Sequence, residues 1–193
     1  MTTSNTPVPA ATDAPVAIPK PRWVISDTHF CHTNILSYCP WRQTWASTLA
    51  EHDAAIITAW QACVGPDDWV LHLGDVCLGS KNDPGRIRTS LPGRIILVRG
   101  NHDRSRTAML AMGYDLVVSA AQITVDARTW ICRHNPAAFY LREARSSIRL
   151  LHGHSHGNGY APEIHRDIVA KARDCSLDAV RSIGPVAWEA VCD

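Results

Sequence analysis

Apolar residues along this chain gather into short runs that stop abruptly at polar ones. Arg22-Trp23-Val24-Ile25-Ser26 predicts a strand running straight into Asp27. Trp69-Val70-Leu71-His72-Leu73 predicts a second, stopping at Gly74-Asp75. Ile95-Ile96-Leu97-Val98 predicts a third, stopping at Gly100-Asn101-His102-Asp103. Between the first two, residues 44–63 hold neither Gly nor Pro. Their apolar positions Trp45, Leu49, Ile56, Trp60 and Cys63 recur at helical spacing, so an amphipathic helix is expected there, broken by Gly65-Pro66-Asp67. Shorter helices are expected over residues 84–91, closed by Pro92-Gly93, and over 105–112.

The second half has a different texture. Leu116-Val117-Val118, residues 122–125 and residues 129–132 read as strands joined by short turns. Arg149-Leu150-Leu151 reads as another, leading into His152-Gly153-His154-Ser155-His156-Gly157, and Ser176-Leu177-Asp178 as a last one. Residues 162–173 fit either a helix or an excursion. Strand–helix alternation followed by a strand-rich half predicts an α/β fold, with two packed sheets and helices outside. Four of the expected strands end in Asp, His or Asn, where α/β proteins hold their ligands.

Composition adds bounds. A chain of 193 residues, 46 % hydrophobic and 19 % charged, can build one soluble domain without disulfide staples. A formal net charge of +1 does not describe a surface made to coat a polyanion. Residues 1–21 hold five of the twelve prolines among Thr, Ser and Ala, with neither a basic segment nor an apolar run. They are expected to be a disordered leader rather than a targeting signal, followed by a single domain over residues 22–193. No stretch approaches the ~20 apolar residues of a membrane span. The seven cysteines (Cys31, Cys39, Cys63, Cys77, Cys132, Cys175, Cys192) are odd in number and form no C-x-x-C pair. Free thiols in a reducing cytoplasm are expected, with no membrane association and no obligate protein partner.

Five segments offer metal-ligand chemistry: Asp27-Thr28-His29, Gly74-Asp75, Gly100-Asn101-His102-Asp103, His134 and Gly153-His154-Ser155-His156. Asp27 and His29 lie two apart, so on an extended backbone both side chains face the same way, and His154 and His156 share that spacing. Each segment alone has a bland reading. D-x-H recurs by chance, Gly-Asp after a strand is usually a turn, and Asn-His-Asp is usually a polar loop. Together, all at strand ends, they supply the carboxylates, amide and imidazoles that a pair of cations needs.

The ordered set D-x-H, G-D, G-N-H-D, H and G-H-x-H, spanning residues 22–157, resembles the motif set of the calcineurin-like metallophosphoesterases. Phe30, His32 and Asn34, with Leu73 before Gly74, resemble its small bacterial and phage-type members, as more weakly do Leu177-Asp178 and Pro185-Val186. The resemblance implies a two-sheet αββα sandwich. It implies one metal site from Asp27, His29, Asp75 and His156 and a second from Asp75, Asn101, His134 and His154, with Asp75 bridging. The implied activity is hydrolysis of a phosphate ester, a phosphodiester ahead of a monoester, by a hydroxide held between two divalent cations ~3.5–4 Å apart. Mn²⁺ comes first among those cations, ahead of Fe, Co²⁺, Ni²⁺ or Zn²⁺. His102 would serve as general acid, and Asp103 would orient it or support the loop.

Departures from the family pattern are few. Cys31 stands where members often carry Gly, and Arg133-His134-Asn135-Pro136 replaces a more usual Ser-His-Tyr-Pro. Arg133 reads as a surface charge ahead of a phosphate contact, while His32 and Asn34 are candidates for substrate contact. His72 and His152 read as buried and structural, His52 and His165 as solvated, and the tryptophans mostly as core. Two rivals carry less. A non-catalytic interaction scaffold on the same fold would lack part of the motif set, and a structural zinc module would use cysteine.

Overall fold

The strands read as continuous apolar runs because both of their faces are buried. The structure, a computed structural model, describes residues 14–138, 147–159 and 166–192. Its strands in chain order are β1 (Val16–Ala17), β2 (Trp23–Ile25), β3 (Trp69–His72), β4 (Arg94–Val98), β5 (Leu116–Val118), β6 (Ala121–Val125), β7 (Arg128–Cys132), β8 (Arg149–His152), β9 (Ala172–Asp174) and β10 (Val186–Ala187). Its α-helices are α1 (Ile35–Tyr38), α2 (Leu49–Cys63), α3 (Asp83–Ser90), α4 (Arg106–Ala111), α5 (Arg166–Val169), α6 (Leu177–Val180) and α7 (Trp188–Cys192).

Two five-stranded sheets result, ordered β10-β2-β3-β4-β5 and β1-β6-β7-β8-β9. In the first, β2 to β5 pair in parallel and β10 closes the edge antiparallel. Alternate residues of its strands go to two cores. Val24, Leu71, Ile96 and Val98 meet Ile123, Trp130, Cys132 and Leu151 between the sheets. Ile25, Val70, Ile95 and Leu97 face outward onto Ile56 and Trp60 of α2, Ile87 of α3 and Met109 of α4. On the far face of the second sheet Ile131, Leu150 and Ala172 are buried as well. The expected α/β architecture of two packed sheets is present.

Some boundaries differ from expectation. The helix expected from residue 44 begins at Leu49, because Thr48 and Glu51 form a reciprocal capping box, and Pro40–Thr44 is a separate 3₁₀ turn. The strand expected at 176–178 is the start of α6. Ser176 accepts a hydrogen bond from the Ala179 N–H and Asp178 sits in the first turn, while Ser176 keeps an isolated bridge to Ser26. The leader is shorter than composition suggests. Val16–Ala17 pair in parallel with β6, and Ile18 is buried between the sheets. The prolines of this stretch do not prevent it, since an edge strand needs hydrogen bonds on one side. Residues 1–13, residues 162–165 of the unplaced stretch and His165 lie outside the described residues. No described helix is long and apolar enough to cross a membrane, and all seven cysteines are free thiols.

Candidate metal centre

Parallel strands deliver their following loops to one end of a sheet, and here both sheets do so at the same place. Asp27 follows β2, Asp75 follows β3 and Asn101 follows β4, while His134 follows β7 and His154 follows β8. The loops pair beyond the strands. The Asp27 N–H donates to the Gly74 carbonyl and the His29 N–H to that of Asp75, both at 3.0 Å, and the Gly153 N–H reaches the His134 carbonyl at 3.0 Å.

The D-x-H and H-x-H segments are not extended, contrary to the reading from their spacing. Asp27, His29, Asp75, His154 and His156 all have positive φ, between 50° and 69°. Left-handed backbone at a non-glycine residue costs roughly 1–3 kcal/mol, and such residues gather where function sets the geometry. Alternating left-handed residues aim the side chains of 27 and 29, and of 154 and 156, into one space. Glycine supplies the room. A Cβ on Gly100 would collide with Asp75 Oδ1, and one on Gly153 with Ser26 Oγ and Asp27 Oδ2.

Two donor clusters form. In one, His156 Nε2 lies 3.2 Å from His29 Nε2 and 3.4 Å from Asp27 Oδ1. In the other, His134 Nε2 lies 3.0 Å from Asn101 Oδ1, 3.2 Å from His154 Nδ1 and 3.3 Å from Asp75 Oδ2. Asp75 Oδ2 is also 3.8 Å from His29 Nε2, so one oxygen faces both clusters. Its other oxygen accepts from the His102 N–H at 2.9 Å. Donors sharing a cation at about 2.0–2.2 Å sit roughly 3.0–3.5 Å apart, so these spacings and this all-nitrogen-and-oxygen donor set fit a divalent metal in each cluster. The Nδ1 of His29 is buried without a hydrogen-bond partner among the described residues. The imidazoles are pre-aimed from behind. His134 Nδ1–H donates to the Leu73 carbonyl at 2.8 Å, and His156 Nδ1–H to Asp178 Oδ2 at 2.7 Å, leaving both Nε2 lone pairs for the cluster.

Electrostatics follow from burial and from this crowding. Complete burial pushes the Asp27 carboxyl up to about 6 against the pull of His156 and His134. Burial opposes the charge on Asp75, but hydrogen bonding and attraction from His134 outweigh it and hold the carboxyl well below the usual range. Burial and repulsion from His156 bring His29 down to about 2. At His156 burial is overcome by the bond to Asp178, with help from Cys39 and Asp27, and the imidazole rises to about 10. The proton that charges it occupies the lone pair a cation would take, so proton and cation compete.

Sequence reading missed what stands behind His156. Asp178 accepts a forked pair of bonds from Arg42, Nε to Oδ1 at 3.1 Å and Nη2 to Oδ2 at 2.7 Å. The same guanidinium donates to the backbone carbonyls of Asp27 at 2.7 Å and Thr28 at 3.0 Å, and to His52 Nε2 at 3.0 Å. Arg42 is 0 % exposed. His52, expected in solvent, is therefore buried, its Nδ1–H on Asp53 Oδ1 at 2.8 Å and its ring stacked on Trp45. Helical spacing held the signal, since 52, 56 and 60 share one face.

The remaining candidates divide. His102 lies in neither cluster; its Nε2 is 3.9 Å from Asp75 Oδ2 and its ring lines a cavity with His29, His32 and Leu78. Asp103 does not face that cavity. Its carboxylate accepts from the backbone N–H groups of Asp75, Val76 and Gly100 at 2.8–2.9 Å, which makes it a support for the loop. His32 packs 5.4 Å from His29. Asn34 is exposed at the start of α1 without a capping bond. Arg133, expected at the surface, is 4 % exposed. His72 and His152 are buried and hydrogen-bonded, as expected. Cys31 has φ 60°, a left-handed backbone that glycine adopts without strain.

Comparison with known proteins finds relatives by sequence and by fold. A family model described as calcineurin-like phosphoesterase matches residues 20–171. An uncharacterised protein of Methanocaldococcus jannaschii is 33 % identical over 139 residues, which cover 70 % of this chain and 69 % of that protein. The gene 66 protein of Mycobacterium phage L5 is 37 % identical over 86 residues, 42 % of this chain and 39 % of the phage protein. A crystal structure of an Aquifex aeolicus protein of unknown function shares the fold, with a TM-score of 0.66 at 24 % identity over 90 % of this chain and 97 % of the other.

Proposed function

The chain belongs to the calcineurin-like phosphoesterase family, and from that premise we propose that it is a dinuclear-metal phosphodiesterase. The observation that carries this reading is the pair of donor clusters sharing Asp75 Oδ2. Asp27, His29, Asp75 and His156 would hold one cation; Asp75, Asn101, His134 and His154 would hold the other, Mn²⁺ being the ion we assign first. When bound, such a pair supplies Lewis acidity toward a phosphoryl oxygen and an acidified water at neutral pH.

The chain's own residues do the rest. Asp75 keeps the clusters adjacent because its two oxygens serve different masters, the backbone of His102 and the two donor sets. His102 stands outside both sets and exposed, free to give a proton to the departing oxygen. A diester is favoured because two open cavities meet at His156, leaving room for a second substituent beside the donors. Seven free thiols suit a reducing compartment, and we place the protein in the cytoplasm.

The test is a substrate panel on metal-stripped protein, reloaded with one metal at a time and assayed for metal content. Two ions per chain are expected, with turnover of diesters above monoesters. In the same panel His102→Ala should lose most of the ~10²–10⁴-fold contribution of a general acid on alkyl esters, and much less on nitrophenyl esters, whose anion needs no proton. A single ion per chain, or no hydrolysis with any metal, would remove the reading.

A further inference from the structure

The back of the His156 ring carries a donor set of its own. Nδ1 lies 2.7 Å from Asp178 Oδ2 and 3.4 Å from Cys39 Sγ. Sulfur, nitrogen and oxygen all lie within 4.8 Å of one another. Cys39 closes α1 with its N–H on the Ile35 carbonyl at 2.9 Å, and Arg42 grips both oxygens of Asp178. Cys39 and Asp178 are only 8 % and 6 % exposed, yet all three residues line an open cavity of about 810 Å³.

Donors around a tetrahedral cation, at about 2.3 Å from sulfur and about 2.0 Å from nitrogen, sit roughly 3.5 Å apart. The thiol and the imidazole already have that spacing. The Asp178 oxygen is closer because it accepts a hydrogen bond, and a cation in place of the proton would open that contact by roughly 0.5 Å. The fourth position faces the cavity. Arg42 beside Asp178 opposes any cation here. Thiolate offsets that repulsion, and does so for soft metals: Zn²⁺ and Cd²⁺ gain from sulfur, whereas Mn²⁺ prefers oxygen. The clusters on the other side of the ring hold nitrogen and oxygen donors. Softness therefore sorts the ions between the two sides.

Both sides share one imidazole, and a neutral imidazole has one lone pair. With the Nδ1–H on Asp178, that pair points from Nε2 toward Asp27 and His29. We propose that Cys39, His156 Nδ1 and Asp178 form a site for one thiophilic divalent cation of the Zn²⁺ and Cd²⁺ class, and that its occupation withdraws His156 from the donor cluster. One cation enters, the Cys39 thiol releases its proton to solvent, and the Nδ1 proton passes to Nε2; nothing is oxidised or reduced. A soft cation there inhibits without touching the substrate. The withdrawal rests on the dinuclear reading; the site itself does not.

Cd²⁺ titration of the full chain, its thiols kept reduced, tests the site through the ultraviolet charge-transfer absorbance of cadmium thiolate. Cys39→Ser should remove the absorbance of one thiolate, and Asp178→Asn should weaken the Cys39-dependent part about tenfold or more. Mn²⁺ titration after one equivalent of Cd²⁺ tests the withdrawal. One of two binding events should weaken about tenfold or more in the native chain, and both should persist in Cys39→Ser. Absorbance indifferent to Cys39→Ser would overturn the site. Native chain and Cys39→Ser responding alike to Cd²⁺ in the Mn²⁺ titration would overturn the withdrawal. Cys39-dependent absorbance in a chain that binds no Mn²⁺ would remove the dinuclear reading and keep the soft-metal site.

Discussion

At Arg42 a single guanidinium reaches from the carbonyls of Asp27 and Thr28 to the carboxylate behind His156. It therefore ties the loop after β2 to the start of α6 and fixes two residues, Asp27 and His156, of the same donor cluster. A buried arginine with this many bonds is costly to strip of its partners, roughly 3–5 kcal/mol when one side of a buried pair is removed. Asp178→Asn is the gentler test, since it keeps the shape and removes the charge. Support of this kind behind a metal histidine is typically worth about 10–100-fold in metal affinity. Titration of the variant with Mn²⁺ should show one of two binding events weakened by that factor and the other unchanged. Equal weakening of both, or of neither, would mean that Asp178 does not act through His156. The candidate donors were legible residue by residue, because donor chemistry belongs to the side chain. Their geometry was not. The two-residue spacing suggested extended backbone, whereas the left-handed φ values at Asp27, His29, His154 and His156 do the aiming.

Among the elements, β1 departs furthest from what composition implies. Proline-rich sequence suggests a leader running to residue 21, yet the Val16 N–H donates to the Ala120 carbonyl at 3.0 Å and the Ile18 N–H to that of Gln122 at 2.9 Å. Ile18 then closes the inter-sheet core beside Val24 and Ile123. A chain beginning at Ala14 should melt like the full chain. One beginning at Pro19 should lose about 2–4 kcal/mol, the burial of one isoleucine plus the edge hydrogen bonds. Urea unfolding of the two truncations decides this, and equal midpoints would show that β1 contributes nothing. The long helix and the four motif-bearing strands were legible because hydrophobic period is a local property. Two-residue strands such as β1 and β10 carry no period, so sequence cannot mark them.

In the whole molecule the donor clusters sit where both sheets end, with donors following β2, β3 and β4 on one side and β7 and β8 on the other. Any ion held there binds the folded state alone. At a hundred times its dissociation constant each would add about 2.7 kcal/mol, or about 5–10 °C in the melting temperature of a chain this size. Differential scanning calorimetry of stripped and reloaded protein should show this rise; coincident melts would mean that the clusters do not join the sheets through metal. The sequence by itself determined the α/β class, the strands that precede the candidate donors and the chemical identity of each of those donors. These depend on side-chain type and on neighbours a few residues away. The tertiary structure alone decided which polar residues are buried and what they touch. Arg42 and Asp178 lie 136 residues apart, and no local pattern announces that the guanidinium of Arg42, or that of Arg133, will be enclosed. Burial of a polar group depends on what the rest of the chain packs against it, and that is settled only when both sheets and α6 have come together.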